Sequence, residues 1–78
     1  MITLILYTTA GCHLCELANE ILQSLAQQHP LNIIHTEIGD DDALVEQYGV
    51  SIPVVKFPDN TEINWPFGRH DIEIKLSQ

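Results

Sequence analysis

The sequence predicts an α/β fold in which a mixed four-stranded sheet is flanked by helices, in the order β-α-β-α-β-β-α. The hydrophobic pattern supports this order. A continuous apolar run near the N-terminus indicates a strand, and the apolar residues after it recur with the 3.6-residue period of an α-helix. A strand, a helix and a second strand in succession imply two parallel strands joined by a right-handed crossover. Two short apolar segments separated by turn residues then add an antiparallel hairpin. With 78 residues, the chain is expected to form one domain spanning residues 1–78.

The first strand and first helix are the most clearly marked elements. Ile2 to Tyr7 is a nearly unbroken apolar run, which is typical of a central strand buried on both faces. Gly11 supplies a turn after it. A helical face then follows, made of Leu14, Leu17, Ala18, Ile21, Leu22 and Leu25. Pro30 ends this helix, because a residue before proline disfavours the α region.

The middle of the chain predicts an edge strand and a short helix. Polar residues interrupt the apolar ones between Leu31 and Ile38, which indicates a strand at the edge of the sheet. The acidic turn at residues 40–42 is suited to cap a helix and to meet its positive N-terminal dipole. The helix carries residues 43–48, and Gly49 is well placed to end it.

The C-terminal third predicts a hairpin and a last element of ambiguous type. The hairpin strands are Val54 to Phe57 and Glu62 to Trp65, joined by a turn at residues 58–60. In the last segment Ile72, Ile74 and Leu76 alternate with charged residues, as in a strand. Ile72 and Leu76 also share a helical face, and an acidic and a basic side chain at 71 and 75 form a favourable i,i+4 pair. We predict a helix.

The charge of the chain argues against nucleic-acid and membrane partners. The net charge is −8, with 11 acidic and 3 basic residues, and Lys56, Arg69 and Lys75 are too scattered to form a phosphate-binding patch. No stretch approaches the roughly 20 apolar residues of a membrane span. The N-terminus lacks the basic start of a signal peptide. We therefore expect a cytoplasmic protein, in a compartment where thiols are kept reduced.

Two cysteines three residues apart form the candidate active site. Cys12 lies where the first strand meets the first helix, and the free N–H groups and dipole of that helix favour a thiolate there. Cys15 follows about one turn later, so both sulfurs can lie on one side. That spacing lets Cys12 attack a disulfide and Cys15 resolve the mixed intermediate. The alternative is a pair of small core residues at a helix start.

The sequence assigns less definite roles to the four histidines. As a cation, His13 would stabilise a neighbouring thiolate, but it is equally compatible with an exposed residue without a role. His29, His35 and His70 show no mutual spacing, and we interpret them as surface or half-buried residues. A zinc site would need two further ligands, and no second CxxC or H-x₃-H pattern is present, so no metal site is predicted.

Over nearly its full length the chain resembles the glutaredoxin-like branch of the thioredoxin superfamily. The resemblance rests on residues 11–15, Gly-Cys-His-Leu-Cys, and on residues 48–54, Tyr-Gly-Val-Ser-Ile-Pro-Val. The segment Trp-Pro-Phe at 65–67 is similar to a small subgroup of glutaredoxin-like proteins. The resemblance implies a thioredoxin-like fold of glutaredoxin type, with Cys12 as the exposed nucleophile and Cys15 as the more buried resolving thiol.

The same resemblance assigns a substrate-binding role to Ile52 and Pro53. It implies a cis peptide bond between these two residues, placed against the CxxC motif. In the superfamily, the backbone before this proline pairs with the substrate as an added strand. The expected partner is therefore a protein or small-molecule disulfide, bound by a monomer.

Two departures from the glutaredoxin pattern concern glutathione. Glutaredoxins usually carry a lysine shortly before the CxxC, where this chain has Thr8 and Thr9. Their Gly-Gly and Asp segment after the hairpin, which holds the γ-glutamyl end of glutathione, is absent around residues 64–69. We therefore predict no resident cofactor and weak binding of glutathione.

The combined function predicted from sequence is thiol–disulfide exchange. Two alternatives stay open. One is a thioredoxin-fold binding module with little catalytic activity, because a fold shared by many proteins does not determine function. The other is a metal or iron–sulfur carrier that uses the thiolates of Cys12 and Cys15 on two chains.

Overall fold

The structure is a computed structural model that describes residues 1–77. Across those residues it contains seven elements in the predicted order: β1 (Ile2–Thr8), α1 (His13–Ala26), β2 (Leu31–Glu37), α2 (Asp42–Tyr48), β3 (Val54–Lys56), β4 (Glu62–Asn64) and α3 (Arg69–Leu76). The strand order in the sheet is β2-β1-β3-β4. Strand β1 runs parallel to β2 and antiparallel to β3, and β3 runs antiparallel to β4. The predicted α/β architecture with a mixed four-stranded sheet is confirmed.

Strand β1 lies inside the sheet and separates two apolar clusters. Leu4 and Leu6 point to one face, where they are fully buried. The larger cluster on that face consists of Leu4, Leu6, Ala18, Leu22, Leu25, Val55, Phe57, Phe67 and Ile72. Tyr7 points to the opposite face, where it packs with Ile38, Tyr48 and Val54. The unbroken apolar run in β1 therefore reflects burial on both faces, as the sequence predicts.

The outer strands are shorter or more exposed than β1. Strand β2 is an edge strand with no fully buried residue, in agreement with its interrupted apolar pattern. The hairpin strands are three residues each, shorter than predicted. The N–H of Trp65 donates to the carbonyl of Pro53 at 3.0 Å, but proline has no N–H to return the bond. The regular ladder therefore begins only at Val54.

The helices begin where capping groups satisfy their first N–H groups. The Asp41 carboxylate accepts hydrogen bonds from the N–H groups of Ala43 and Leu44, at 3.0 and 3.2 Å. The Asp71 carboxylate accepts from the N–H of Gly68 at 2.8 Å, at the start of α3. Within residues 1–77, none of the helices has both the length and the apolar character needed to cross a bilayer.

The last element is a helix because burial, rather than local pattern, decides its conformation. Ile72 is fully buried in the larger cluster, whereas Ile74 is 47 % exposed. The two residues are two positions apart, so a helix turns them to different sides. The Arg69 guanidinium further ties α3 to α1 by donating to Ser24 Oγ at 2.6 Å and to Gln28.

We expect Ile72→Ala to lower the free energy of unfolding by about 2–5 kcal/mol, because it leaves a cavity in the main core. Ile74→Ala is the matched control, with the same chemical change in the same helix at an exposed position, and it should cost well under half as much. Urea unfolding followed by circular dichroism measures both values. Equal losses for the two variants would contradict the observed packing of α3.

Candidate active site

A tight turn carries the chain from the end of β1 to the first cysteine. Gly11 has φ = +77°, in the left-handed region that other residues adopt at a cost. The N–H of Cys12 donates to the carbonyl of Thr9 at 3.4 Å, which closes the turn. The position of Gly11 in a turn is therefore confirmed, and its backbone conformation explains why glycine suits it.

The two cysteines share the first turn of α1. Cys12 is the N-cap residue, and its Sγ accepts a hydrogen bond from the N–H of Cys15 at 3.2 Å. The pair is at disulfide-bonding distance, with Cα atoms 5.2 Å apart. Cys15 is 3 % exposed, whereas Cys12 is only half-buried. A helix N-terminus therefore meets the more accessible sulfur, which is the arrangement that stabilises a thiolate.

His13 lies in the first turn of α1 and points into solvent. Its side chain is 77 % exposed, and Nδ1 is 3.6 Å from Oε2 of Glu16. Its polar contact is thus with a carboxylate one turn further along the helix. When protonated, the imidazole adds positive charge near Cys12, but Glu16 neutralises part of it.

Ile52 and Pro53 lie at the same end of the sheet as the cysteines. The antiparallel pairing of β1 and β3 ends with Tyr7 opposite Val54, so Pro53 follows at the end of β1 from which the cysteine turn leaves. Pro53 is fully buried, and Ile52 is half-buried against the smaller cluster. The Ile52–Pro53 peptide bond is cis, as is Trp65–Pro66. The N–H of Ile52 donates to the carbonyl of Tyr48 at 3.0 Å.

Glu37 anchors the turn before Cys12, a contact that the sequence analysis missed. Its carboxylate accepts hydrogen bonds from the N–H groups of Ala10 and Gly39, at 2.9 and 2.7 Å. Glu37 is 27 residues from Ala10 in sequence, so no local pattern pairs them. The end of β2 is thereby fastened to the turn that positions the nucleophilic cysteine.

The hydrogen bonds to Glu37 also explain its acidity. The N–H of Gly39 lowers the pKa of the carboxyl most, followed by the hydroxyl of Thr9, while the N–H of Ala10 lowers it further. All three groups bind the ionised form. A Cβ at Gly39 would lie 2.9 Å from Oε2 of Glu37 and 3.1 Å from Oγ1 of Thr9. Glycine at this position therefore leaves room for the carboxylate.

A groove of about 230 Å³ opens beside the two sulfurs. Its wall on the helix side includes Cys15, Glu16 and Asn19, and its wall on the sheet side includes Leu6 and His35. The Nε2 atom of His35 is 2.6 Å from Oδ1 of Asn19. From sequence, His35 is predicted only as a surface or half-buried residue, since its contact with Asn19 crosses from α1 to β2.

The described residues 1–77 hold no group of three or more His, Cys, Asp and Glu side chains arranged to bind a metal ion.

Comparison with known proteins agrees with this geometry. A family model described as "Glutaredoxin-like domain (DUF836)" matches residues 3–77. The crystal structure of protein XcR50 from X. campestris is 35 % identical, with 95 % of each chain covered and a TM-score of 0.84. Protein Ne2328 from Nitrosomonas europaea is 22 % identical over 95 % of this chain and 89 % of that chain, with a TM-score of 0.81. A mutant thioredoxin from Halobacterium salinarum, 18 % identical over 97 % of this chain and 72 % of that chain, has a TM-score of 0.76. Comparison with curated proteins gave no match.

These similarities identify the α/β fold as thioredoxin-like, as the resemblance implied. The pair Cys12 and Cys15 lies at disulfide-bonding distance within that fold, an arrangement that indicates a redox function.

We expect Glu37→Gln to destabilise the protein at neutral pH, because the neutral amide binds the N–H groups of Ala10 and Gly39 less strongly than a carboxylate does. The folded-state pKa of Glu37 is lowered, so its stabilisation is complete above the ordinary value of 4.5 and is lost as pH falls through the lower folded value. The gap in Tm between wild type and variant should therefore be larger at neutral pH than in strong acid.

Glu46→Gln, at an exposed position of α2, is the control for the loss of one negative charge. The anchoring role would be contradicted if the difference in Tm between wild type and Glu37→Gln stayed constant from neutral pH to strong acid. It would also be contradicted if that difference equalled the one caused by Glu46→Gln.

Proposed function

This chain belongs to the Glutaredoxin-like domain (DUF836) family, and from that membership we propose that it is a thiol–disulfide oxidoreductase. The observation that carries the proposal is the position of the cysteine pair. Cys12 caps α1 with its sulfur against a backbone N–H, and Cys15 lies buried one turn later at disulfide-bonding distance. These are the two features that a nucleophilic and a resolving thiol require.

The proposed reaction has two exchange steps. The Cys12 thiolate attacks one sulfur of the substrate disulfide, which forms a mixed disulfide and releases the first substrate thiolate. The Cys15 sulfur then attacks Cys12, closes the disulfide between the two cysteines and releases the second substrate thiolate. The substrate gains two electrons and the protein loses two, so an external thiol must reduce the protein again.

The more exposed position of Cys12 supports its role as the nucleophile. A substrate can reach the half-buried Cys12, whereas Cys15 is 3 % exposed and offers almost no surface for a substrate to attack. His13 would modulate Cys12 through its charge, in competition with Glu16.

Ile52 and Pro53 are the proposed binding segment for an extended substrate. The N–H of Ile52 is already used by Tyr48, so its carbonyl is the backbone group that would accept a hydrogen bond from an added strand. Nearby side chains are apolar and exposed: Val50 is fully exposed and Leu14 is 43 % exposed. Exposed apolar side chains in the first turn of α1 and in the segment before Ile52 favour a polypeptide over a small charged thiol.

Two of the three basic residues of the chain, Arg69 and Lys75, are engaged in contacts other than a clamp for the carboxylates of glutathione. Arg69 donates to Ser24, Gln28 and Glu73. Lys75 pairs with Asp59 at 3.7 Å, next to a different pocket. The net charge of −8 also repels an anionic tripeptide, which further weakens the binding of glutathione.

We therefore propose a protein disulfide as the substrate, and a monomeric, cytoplasmic protein without a resident cofactor. We also propose that the Trp65-Pro66-Phe67 segment distinguishes a subgroup within the family.

We expect Cys12 and Cys15 to form a reversible disulfide with a potential between about −270 and −120 mV, the range of related dithiol proteins. Equilibration with glutathione buffers, acid quenching and mass spectrometry measure the oxidised fraction.

The variants Cys15→Ser and Cys12→Ser form a matched pair that tests which cysteine is the nucleophile and which is the resolving thiol. Only Cys15→Ser should accumulate mixed disulfides with partner proteins, since it keeps the nucleophile. Accumulation by Cys12→Ser instead would reverse the two roles, and failure to form the bond in any buffer would refute the proposal.

We expect the protein to reduce a disulfide between two peptides faster than the mixed disulfide of glutathione with one of those peptides. Backbone pairing beside Pro53 and the apolar side chains act on the peptide, whereas neither lysine nor arginine lines the groove beside the cysteines to bind glutathione. Added salt should narrow the difference, because it screens the repulsion of the anionic tripeptide. Initial rates at equal substrate concentration measure the preference. A large preference for the glutathionylated peptide would show that the substrate assignment is wrong.

A further inference from the structure

The groove beside the cysteines contains an imidazole that the proposed reaction has not yet used. His35 lines this groove together with Cys12 and Cys15. In the parallel ladder between β1 and β2, His35 lies opposite Leu6. Side chains of paired residues point to the same face of a sheet, and Leu6 is fully buried in the main core beneath α1. His35 therefore projects from the edge strand toward the helix that carries the cysteines.

The contact with Asn19 gives the His35 ring a defined orientation. Oδ1 of Asn19 is 2.6 Å from Nε2 of His35 and also accepts a hydrogen bond from the Gln23 amide at 3.3 Å. Because Oδ1 can only accept, it selects the form of the neutral ring with hydrogen on Nε2. Nδ1 is then the nitrogen that can gain and lose a proton.

Cys15 needs a proton acceptor during the second exchange step. A thiol must lose its proton to become a nucleophile, and burial in apolar surroundings opposes that loss. Cys15 is 3 % exposed, and fully buried Leu6 forms part of the wall near it. Cys15 and His35 both line the groove, so the groove offers the Cys15 proton a way to this imidazole.

The other charged groups around the groove are less suited to accept this proton. Glu16, from α1, is 74 % exposed and 3.6 Å from His13. Glu37, two residues after His35 on β2, accepts hydrogen bonds from Ala10 and Gly39, and these hold its pKa below the ordinary value. Strand β1 contributes Leu6 and Thr8 to the lining, neither of which titrates near neutral pH. Imidazole is the side chain that most often serves as a general base near neutral pH.

We propose that His35, oriented by Asn19, accepts the proton of Cys15 when Cys15 resolves the mixed disulfide. This inference rests on the proposed function. The proton moves from the Cys15 sulfur to Nδ1 of His35, and the Cys15 sulfur forms a bond to the Cys12 sulfur. The bond between Cys12 and the substrate sulfur breaks, and the substrate leaves as a thiolate. The imidazolium then returns the proton to that thiolate or to solvent. In the reverse reaction the same ring protonates Cys15 as the protein disulfide opens.

The two steps can be separated with a symmetrical aromatic disulfide whose thiol product is coloured. After stopped-flow mixing with the reduced protein, the first thiol is released by Cys12 and the second by Cys15. His35→Gln keeps a side-chain N–H for Asn19 but removes the titrating nitrogen, whereas His35→Phe removes both. His35 is exposed on an edge strand, so both variants are expected to fold, and circular dichroism checks this.

For both variants we expect the second phase to slow by about tenfold or more at neutral pH, with the first phase unchanged. The second phase should also lose the near-neutral step in its pH profile, and added imidazole should accelerate it in His35→Gln. His70→Gln, at an exposed position on α3, should behave as wild type in both phases.

An unchanged second phase in His35→Gln would overturn the inference while leaving the proposed function intact. Slowing by Phe but not by Gln would also overturn it, because the hydrogen bond to Asn19 rather than proton transfer would then matter. Absence of both phases in the wild-type protein would overturn the proposed function and this inference together.

Discussion

The free backbone N–H groups at the start of α1 are the constraint around which this molecule is arranged. A parallel pair of strands requires a crossover, so the helix that follows β1 begins at the end of the sheet where β1 stops. At that point the first N–H groups of the helix have no partner inside it. The Cys12 sulfur takes the capping position and accepts the N–H of Cys15. The geometry of the crossover thus supplies the electrostatic environment that a reactive sulfur needs.

The surrounding structure holds this helix start in place from two sides. The main core fixes α1 against the sheet through its buried leucines, and α3 is tied to α1 through Arg69. On the other side, the carboxylate of Glu37 binds the turn that leads into Cys12. The core supplies the larger free energy, because it removes apolar surface from water. Glu37 adds a directional contact that a hydrophobic cluster cannot provide.

The surface around the cysteines differs from the acidic character of the whole chain. Leu14 in the first turn of α1 and Val50 shortly after α2 expose apolar side chains, whereas Arg69 and Lys75 are engaged in other contacts. This distribution favours recognition through backbone pairing and apolar contacts. His35 lies in the groove beside the cysteines, where we propose that it accepts a proton. The proposed substrate class and the proposed role of His35 both concern this one region around the cysteines.

The sequence by itself determined the features that depend on near neighbours in the chain. The apolar run of β1, the helical period after Leu14 and the turn at Gly11 each arise from interactions within a few residues, and so does the position of the cysteine pair at a helix start. The family resemblance added Pro53, which composition alone could not single out. The hairpin was located correctly, although Trp65 lies outside its regular ladder because Pro53, to which it donates, cannot return a hydrogen bond.

Only the tertiary structure decided the contacts between residues that are far apart in sequence. The bond from Ala10 to Glu37 and the contact between His35 and Asn19 both depend on the register of β2 against β1 and on how α1 lies across that pair. The last segment was predicted as a helix although its local pattern also fits a strand, and burial of Ile72 in the core is the contact that selects the helix. Such contacts are set by packing across the sheet, and a local pattern of hydrophobicity carries no information about which distant residue lies opposite.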